Sequence, residues 1–246
     1  MNSLRRMLDV LDLFKPGTPA VDIEAICAQL DYAPASAYRY VRELCDVGLL
    51  VRLPGGYALG PRIIELDLQM REEDPLLNSS RSAMQQLAEE TGLSVLLSEL
   101  YGDTVINVHQ EQGRDSEPLR FGRGRPMALF RSATARVNLA HQPLRHLRRV
   151  YDDNADHPDV QRLGEHWKAF AKAMLDTRKR GYSVSEGDLD NGKAGIAAPI
   201  FDGKRVIGSI TAVGAFDRFH AFNETYLAGQ LVGIAQDITQ RIAAGR

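Results

Sequence analysis

The stretch that most constrains this chain is residues 34–59. It reads Pro-Ala-Ser-Ala-Tyr-Arg-Tyr-Val-Arg-Glu-Leu-Cys-Asp-Val-Gly, then Leu-Leu-Val-Arg-Leu-Pro-Gly-Gly-Tyr-Ala-Leu. Pro34 suits a first helical position, where its missing N–H would be unpaired anyway. Gly48 suits the left-handed residue that ends a helix. Between them, helical spacing sorts the side chains into two faces. Ala37, Tyr40, Val41 and Leu44 form one; Ala35, Tyr38, Arg39 and Arg42 form the other, with Ser36 at its edge. Burial of the first set leaves arginine and tyrosine facing outward. Beyond Gly48, Val51 and Leu53 alternate with Arg52, and Tyr57 and Leu59 alternate with Ala58. Pro54-Gly55-Gly56 between them can supply the positive φ of a tight hairpin. Helix, glycine stop and Arg-bearing hairpin are the layout of a winged helix-turn-helix, whose recognition helix enters a DNA major groove while the wing reaches a neighbouring groove or the backbone. A helix–hairpin unit with an ordinary packing role has the same outline, so the segment in front of it decides.

That segment supplies two more helices. Residues 4–14 carry Leu4, Met7, Leu8, Leu11 and Phe14 on one helical stripe, stopped by Pro16-Gly17. Residues 22–30 form the second, with Asp22 and Glu24 early, where the helix dipole favours them, and Ile23, Ile26, Cys27 and Leu30 inward. Asp31-Tyr32-Ala33 is the turn. After the wing, residues 62–71 resume a helical pattern with Ile63, Leu66 and Met70 on one stripe and Ile64 and Leu68 beside it. An apolar stripe on a helix between two domains needs a partner, and a second copy of the chain is the simplest; packing on its own module is the alternative.

From residue 76 the pattern becomes mixed. Residues 76–91 read as a helix with Ala83, Leu87 and Ala88 inward. Residues 94–100 and 104–111 read as strands around Tyr101-Gly102-Asp103, and 119–121 as a short strand before a Gly-rich loop at 122–127. Helices are predicted at 133–140, 143–152 and 159–180, the last with Leu163, Trp167, Phe170, Met174 and Leu175 inward. Strands are predicted at 182–185, 195–201 and 206–216, with a closing helix at 223–243. An antiparallel sheet flanked by helices is an α+β sensor layout. The expected division is 1–60 for an all-α winged helix-turn-helix with a small β-wing, 61–75 for a linker helix, and 76–246 for the α+β domain.

Composition narrows the function. At 246 residues, 44% apolar and 25% charged, the chain has room for one or two ordinary globular domains. No apolar run approaches the roughly 18–20 residues of a membrane span, and no continuous apolar core follows Arg5 and Arg6, so neither a membrane partner nor a secretory signal is expected and the cytoplasm is the default. Cys27 and Cys45 fall at apolar helical positions and read as reduced thiols. No Cys/His spacing resembles a zinc site, and no metal or cofactor is expected. Net charge is −2, and residues 1–62 hold seven basic and seven acidic side chains. DNA binding must therefore rest on placement, with Arg39, Arg42 and Arg52 sharing one surface and Asp12, Asp22 and Glu24 elsewhere. Modest affinity per subunit follows, and dependence on dimerisation.

Ser3-Leu4-Arg5-Arg6-Met7-Leu8-Asp9-Val10-Leu11, Ser36-Ala37-Tyr38-Arg39, Gly48-Leu49-Leu50 and Tyr57-Ala58-Leu59-Gly60 resemble the N-terminal domain of the IclR family of bacterial transcription regulators. Arg180–Gly187, Gly195–Phe201 and Val206–Ile210 resemble that family's effector domain, a GAF-like fold. Asp31 stands where the family usually has Gly, and Asp tolerates the left-handed region better than most residues. Ala35-Ser36 stands for a common Ser-Thr pair, with one hydroxyl fewer. The resemblance implies DNA contacts from Ala35, Ser36, Tyr38, Arg39, Arg42 and Arg52. It implies a dimer or dimer of dimers, with Leu4, Met7, Ile63, Leu66 and Met70 at the contact. It also implies an effector pocket at the helix start formed by Phe130, Arg131, Ser132, Ala133 and Thr134, whose free N–H groups suit an anion. Ser185 and Asp188 would lie opposite, with Gly195, Ser209, Thr211 and Val213 on the adjoining strands. Ala135-Arg136-Val137 replaces a frequent Gly-Lys-Ala. Gly195 replaces a Cys or Ser of some members and leaves room for more than a two- or three-carbon acid. Of the clustered Arg120, Arg123, Arg125 and Arg131, one is expected to meet an effector carboxylate bidentately and the rest to be solvated. Ser132 and Thr134 have a rival role as helix N-caps.

The reading is a sequence-specific DNA-binding regulator whose C-terminal domain binds a small organic acid that alters DNA binding through dimer or tetramer geometry. The alternative is an enzyme acting on a small acid, with the N-terminal module serving dimerisation. It would have to work with Ser132, Ser185, Asp188 or Ser209. The histidines, such as His109 on a strand and His166 on a helix, have no Ser or Cys nucleophile at recognisable spacing, and no P-loop or dinucleotide fingerprint is present. A winged helix used only for protein contacts is a third reading, opposed by Tyr38, Arg39 and Arg42 on one exposed face.

Overall fold

A computed structural model of the chain describes residues 2–114, 116 and 119–245. The chain divides into two compact units, Met1–Asp74 and Pro75–Arg246.

The first unit runs α1 (Ser3–Leu8), a 3₁₀ turn (Leu11–Leu13), α2 (Ile23–Leu30), α3 (Pro34–Asp46), β1 (Leu50–Leu53), β2 (Gly56–Leu59) and α4 (Pro61–Glu73). At the end of α3 the Leu49 N–H donates to the Leu44 carbonyl and the Gly48 N–H to the Cys45 carbonyl, each at 2.9 Å, with Gly48 at φ +76°. This Schellman closure satisfies carbonyls that a helix end leaves open. Ala37, Tyr40, Val41 and Leu44 are all buried with Val10, Val21, Ile26, Tyr32 and Leu50. Burying a side chain such as Leu44 contributes about 1.5–3 kcal/mol, so the core fixes which way α3 faces. Asp22 caps α2 by accepting the Ala25 N–H at 2.7 Å, and Asp31 takes the left-handed φ of +53° at its end. In the wing Leu50 lies opposite Leu59 and Leu53 opposite Gly56. The Val21 and Tyr57 backbones exchange two hydrogen bonds of 2.9 Å, tying the wing to the chain ahead of α2. The predicted helix 4–14 is broken: α1 stops at Leu8 and the tighter 3₁₀ turn rotates the following residues. Val10 and Leu13 are buried as a result, while Leu4 and Leu8 of the expected inward stripe are exposed.

The second unit opens with α5 (Pro75–Thr91), β3 (Ser94–Tyr101) and β4 (Thr104–Glu111). Helices α6 (Ala133–Ala140), α7 (Leu144–Asp153), α8 (Pro158–Leu163) and α9 (Trp167–Arg180) follow. Then come β5 (Ser183–Glu186), β6 (Lys193–Asp202), β7 (Arg205–Ala215), α10 (Phe216–His220) and α11 (Glu224–Ala244). The five strands pair antiparallel in the order β4-β3-β7-β6-β5. Strand alternation gives the sheet two unlike faces. Val95, Leu97, Ile196, Ala198, Ile200, Ile210 and Ala212 pack against α5 and α11. The other face mixes small and polar residues, Ser98, Asn107, Gly195, Ala197, Ser209 and Thr211, with Leu96 and Val213, and it carries α6. Thr134 and Thr211 hydroxyls bond at 2.9 Å, the Asn138 amide donates to Ser209 Oγ at 2.8 Å, and the Ser98 hydroxyl donates to Asn107 Oδ1 at 2.6 Å.

Four expectations are corrected here. Residues 119–121 form no strand; Met127 N–H donates to the Val105 carbonyl at 2.8 Å and Gly124 N–H to Asn107 at 2.7 Å, so the loop after them lines the β4 edge. The long helix 159–180 is two helices, because at Gly164 the chain passes so close to Phe170 that a Cβ would lie 2.2 Å from its nitrogen. His166 restarts the chain as N-cap, accepting from the Ala169 N–H at 3.2 Å. Leu175 is exposed rather than inward, and the inward position expected at Ala83 is taken by its neighbour Met84, which is fully buried.

His141, just past α6, is half-buried. Its Nδ1–H donates to the Val137 carbonyl at 2.8 Å, and its ring meets Phe201 edge-on at 5.2 Å between centroids. Burial pushes its pKa below the ordinary imidazole range, with Arg178 pushing the same way against the Val137 carbonyl. The unfolded chain therefore takes up this proton first, and the associated stability is lost as pH falls below about 6.5. Melting temperature measured from pH 7.5 to 5 should fall more steeply for the natural chain than for His141→Gln; parallel curves would remove His141 from the acid response.

Candidate functional site

The first unit's outward face begins with α3. Tyr38, Arg39 and Arg42 are exposed, and they line one groove with Ala35, Cys45, Arg52 and Tyr57. The groove brings together five of the six residues expected to meet DNA; Ser36 is half-buried beside it. The Arg39 guanidinium lies 5.2 Å from the Tyr40 ring centroid, and Arg42 makes a 3.5 Å exposed pair with Glu43. Such exposed pairs hold a side chain by about 1 kcal/mol at most, so both arginines are available to an incoming phosphate or base. Sequence reasoning left Cys45 and Tyr57 out, since their place depends on how the wing folds beside α3. Burial raises the Cys45 thiol pKa, with Asp46 adding to it and Arg52 opposing. One expectation fails: Asp22 and Glu24 do not lie elsewhere but line a second groove with Tyr38, Arg52 and the wing tip. Two carboxylates beside the cationic face lower its general attraction for phosphate.

None of the thirteen residues of α4 is buried within the chain. Ile64 is 74% exposed, Leu68 55%, Met70 60% and Leu66 37%; Leu4 is also exposed, while Met7 and Ile63 are half-buried. At about 100° per residue, Ile64 and Leu68 point nearly opposite to Ile63, Leu66 and Met70. The helix is thus apolar on two sides instead of along one broad stripe.

In the second unit a small cavity of about 30 Å³ opens between α6 and the sheet. Of the ten expected effector residues, Ser132, Ala133, Thr134, Ser185, Gly195, Thr211 and Val213 line it. Phe130 does not; its ring packs against Phe170 at 6.5 Å in the core of the helices behind α6. Asp188 pairs with Arg136 at 3.3 Å, and Ser209 is spent on Asn138. Ser132 is also the N-cap of α6, accepting the Ala135 N–H at 2.9 Å. Leu96, Leu119, Phe121, Met127 and Leu189 supply an apolar wall that sequence reading missed. None of Arg120, Arg123, Arg125 and Arg131 lines the cavity. Arg123 donates to the Val108 carbonyl and Arg125 to the Arg120 carbonyl. The cation on the cavity wall is Lys193, whose Nζ lies 3.7 Å from Asp190 Oδ2. A lysine at i+3 from an aspartate across an Asn-Gly turn was the signal available for it.

Among the described residues no group of three or more His, Cys, Asp or Glu side chains could hold a metal, and no helix is long and apolar enough to cross a membrane.

A winged helix-turn-helix unit with an outward cationic face, in a chain with a separate α+β unit, is the arrangement of a DNA-binding transcription regulator. The family profile described as "Bacterial transcriptional regulator IclR C-terminal" matches residues 69–240, and "IclR helix-turn-helix domain" matches residues 3–54. The chain belongs to the IclR family of transcription regulators, and its relatives are regulators rather than enzymes. It is 26% identical over 253 residues to the glycerol operon regulatory protein of Streptomyces coelicolor, covering 100% of this chain and 98% of that one. It is 26% identical over 204 residues to the transcriptional regulator BhcR of Paracoccus denitrificans, covering 82% and 73%. The fold matches an IclR transcriptional regulator from Alicyclobacillus acidocaldarius with a TM-score of 0.80 at 20% identity, over 98% of this chain and 97% of that one. It also matches an IclR homologue from Microbacterium hydrocarbonoxydans, complexed with 4-hydroxybenzoate, with a TM-score of 0.77 at 22% identity, over 99% and 100%.

Proposed function

We propose that two copies of this chain bind a DNA operator through paired α3 helices, and that a small organic acid in the α6–sheet cavity alters that binding. The observation that carries the reading is the groove in which Arg39, Arg42 and Arg52 meet beside Tyr38 while the opposite face of α3 is wholly buried. An amphipathic helix held this way offers cations and an aromatic ring to a partner the size of a DNA groove. Two such helices bind half-sites about 34 Å apart, and the exposed apolar sides of α4, with Leu4 and Met7, are the surface for the second copy. Such a chain works where the DNA is, in the cytoplasm. Ser132, Thr134, Ser185, Gly195, Thr211 and Val213 take the effector, with the α6 N-terminus and Lys193 favouring an anion. The 4-hydroxybenzoate of the Microbacterium hydrocarbonoxydans homologue makes aromatic acids the first probes.

Linkage gives the test. An effector that changes DNA affinity by some factor must have its own affinity changed by DNA by the same factor. Calorimetric titration of a bound acid, with and without operator, should yield different affinities; equal ones remove the allosteric part. Arg39→Ala should weaken specific binding by about 1–3 kcal/mol if Arg39 reads a base. An equal loss on specific and random duplexes assigns it to phosphate.

A further inference from the structure

Strand β5 pairs with β6 only as far as Ala197, so residues 198–202 run on as a sheet edge. Residues of α11, together with His141 just past α6, stand around that edge, and a cavity of about 260 Å³ opens there. It shares no lining residue with the cavity beneath α6. Ala198, Pro199, Phe201, Val232 and Ala235 give it an apolar wall. It exceeds the roughly 150 Å³ that holds a benzene ring inside a protein, so one substituted ring fits.

The polar atoms on the wall decide what such a ring must carry. A strand edge ordinarily offers free N–H groups. Here Pro199 has none, and the Phe201 N–H donates to Thr239 Oγ1 at 3.1 Å. The Thr239 hydroxyl in turn donates to the Ala235 carbonyl at 2.8 Å, so it too is engaged. Gln236 and Gln240 are exposed at the mouth. His141 remains. Its Nδ1 carries the proton given to the Val137 carbonyl, so the neutral ring offers Nε2 as an acceptor. Among the described residues no hydrogen bond reaches that atom. His141 aside, no ionisable side chain among the described residues lines the cavity. A carboxylate or an ammonium entering it would lose water without meeting an opposite charge, which is strongly unfavourable. A bare hydrocarbon would cover the apolar wall and leave Nε2 dry and unpaired. An uncharged ring bearing one O–H satisfies both.

We infer that this cavity is a second small-molecule site, and that it takes a neutral phenol whose ring covers Pro199, Phe201 and Val232 and whose O–H donates to His141 Nε2. The site is separate from the proposed effector cavity and does not depend on it. An acid belongs beneath α6, beside Lys193; an uncharged phenol belongs here.

The test is calorimetric titration of the full-length protein with p-cresol and with p-methylanisole, the same ring with its hydroxyl proton replaced by methyl. p-Cresol should bind with a Kd of about 1 mM or tighter, well within the ceiling for so small a molecule. p-Methylanisole should bind about tenfold or more weakly, the worth of one hydrogen bond. His141→Leu should bring the two within about threefold of each other, which separates the lost hydrogen bond from the bulk of the added methyl. Val232→Trp, which fills the space from α11, should abolish p-cresol binding, and a melting curve checks that each variant folds. An NMR titration of the unaltered protein needs no variant: p-cresol should move the His141 imidazole signal more than those of the other five histidines. No binding of p-cresol at about 10 mM, or binding that a folded Val232→Trp protein retains in full, would overturn the site. Equal affinity for the two ligands, or a His141 signal that stays in place, would overturn the phenol–His141 contact that defines the proposal.

Discussion

Aspartate at Leu66 and Met70 is expected to leave the purified chain monomeric and to lower its affinity for operator DNA by about 100-fold or more. The helix that carries them has no buried residue, yet four of its apolar side chains are more than a third exposed. A soluble chain rarely leaves such a helix uncovered. In the proposed dimer each aspartate enters an apolar seam unpaired, which costs about 3–5 kcal/mol per buried charge, and it does so in both copies. In a single chain the same positions face water, so the melting temperature of the monomer should stay close to that of the parent. Loss of the second copy removes the tethered second half-site, and the gain from effective concentration goes with it. Light scattering after size exclusion gives the mass, and fluorescence anisotropy gives the DNA affinity. Ile64→Asp with Leu68→Asp makes the same test on the opposite side of α4. If neither double variant dissociates an observed dimer, the seam lies elsewhere and the α4 assignment is wrong.

The second large effect is expected from closing the cavity. At Gly195 an added Cβ meets only Val213 Cβ and the Ala212 carbonyl, both at 3.5 Å, which is ordinary contact. Alanine should be accepted there. Leucine at the same place overfills the small space between α6 and the sheet, at a packing cost of about 1–3 kcal/mol. Gly195→Leu should therefore fold and bind DNA while losing about 100-fold or more in affinity for any acid that binds the parent, with Gly195→Ala intermediate. Calorimetry and a melt with and without the acid distinguish lost binding from lost folding. Unimpaired acid binding by a folded Gly195→Leu protein would place the effector outside this cavity.

Local physics made much of the fold legible. Pro34 and Gly48 bracket α3 as their backbone preferences require, and its buried set of Ala37, Tyr40, Val41 and Leu44 follows from helical period alone. The alternation of Val51, Leu53, Tyr57 and Leu59 around Pro54-Gly55 gave the wing. Local reasoning failed where a neighbour overrode the period. The apolar spacing over residues 4–14 was sound, but the chain turns at Asp9 and Val10 and buries Val10 and Leu13 instead. The stripe over 159–180 was continuous as well; only the approach of Gly164 to Phe170 shows why the helix must restart.

The candidate sites divide the same way. The sequence by itself determined the outward cationic face of α3, because one helix and the residues beneath it suffice to orient Tyr38, Arg39 and Arg42. It also determined the small, polar pattern of Gly195, Ser209 and Thr211, since strand alternation is a local property. Only the tertiary structure decided where Asp22 and Glu24 stand relative to the wing, and which cation faces the cavity. That cavity is assembled from β3, the loop before α6, the turn before β6, and β7, segments far apart along the chain. They are brought together when α6 docks on the sheet through Thr134 and Thr211. Docking of this kind depends on long-range packing, which no periodicity within one segment encodes, and it sets Lys193 rather than one of the four clustered arginines on the cavity wall.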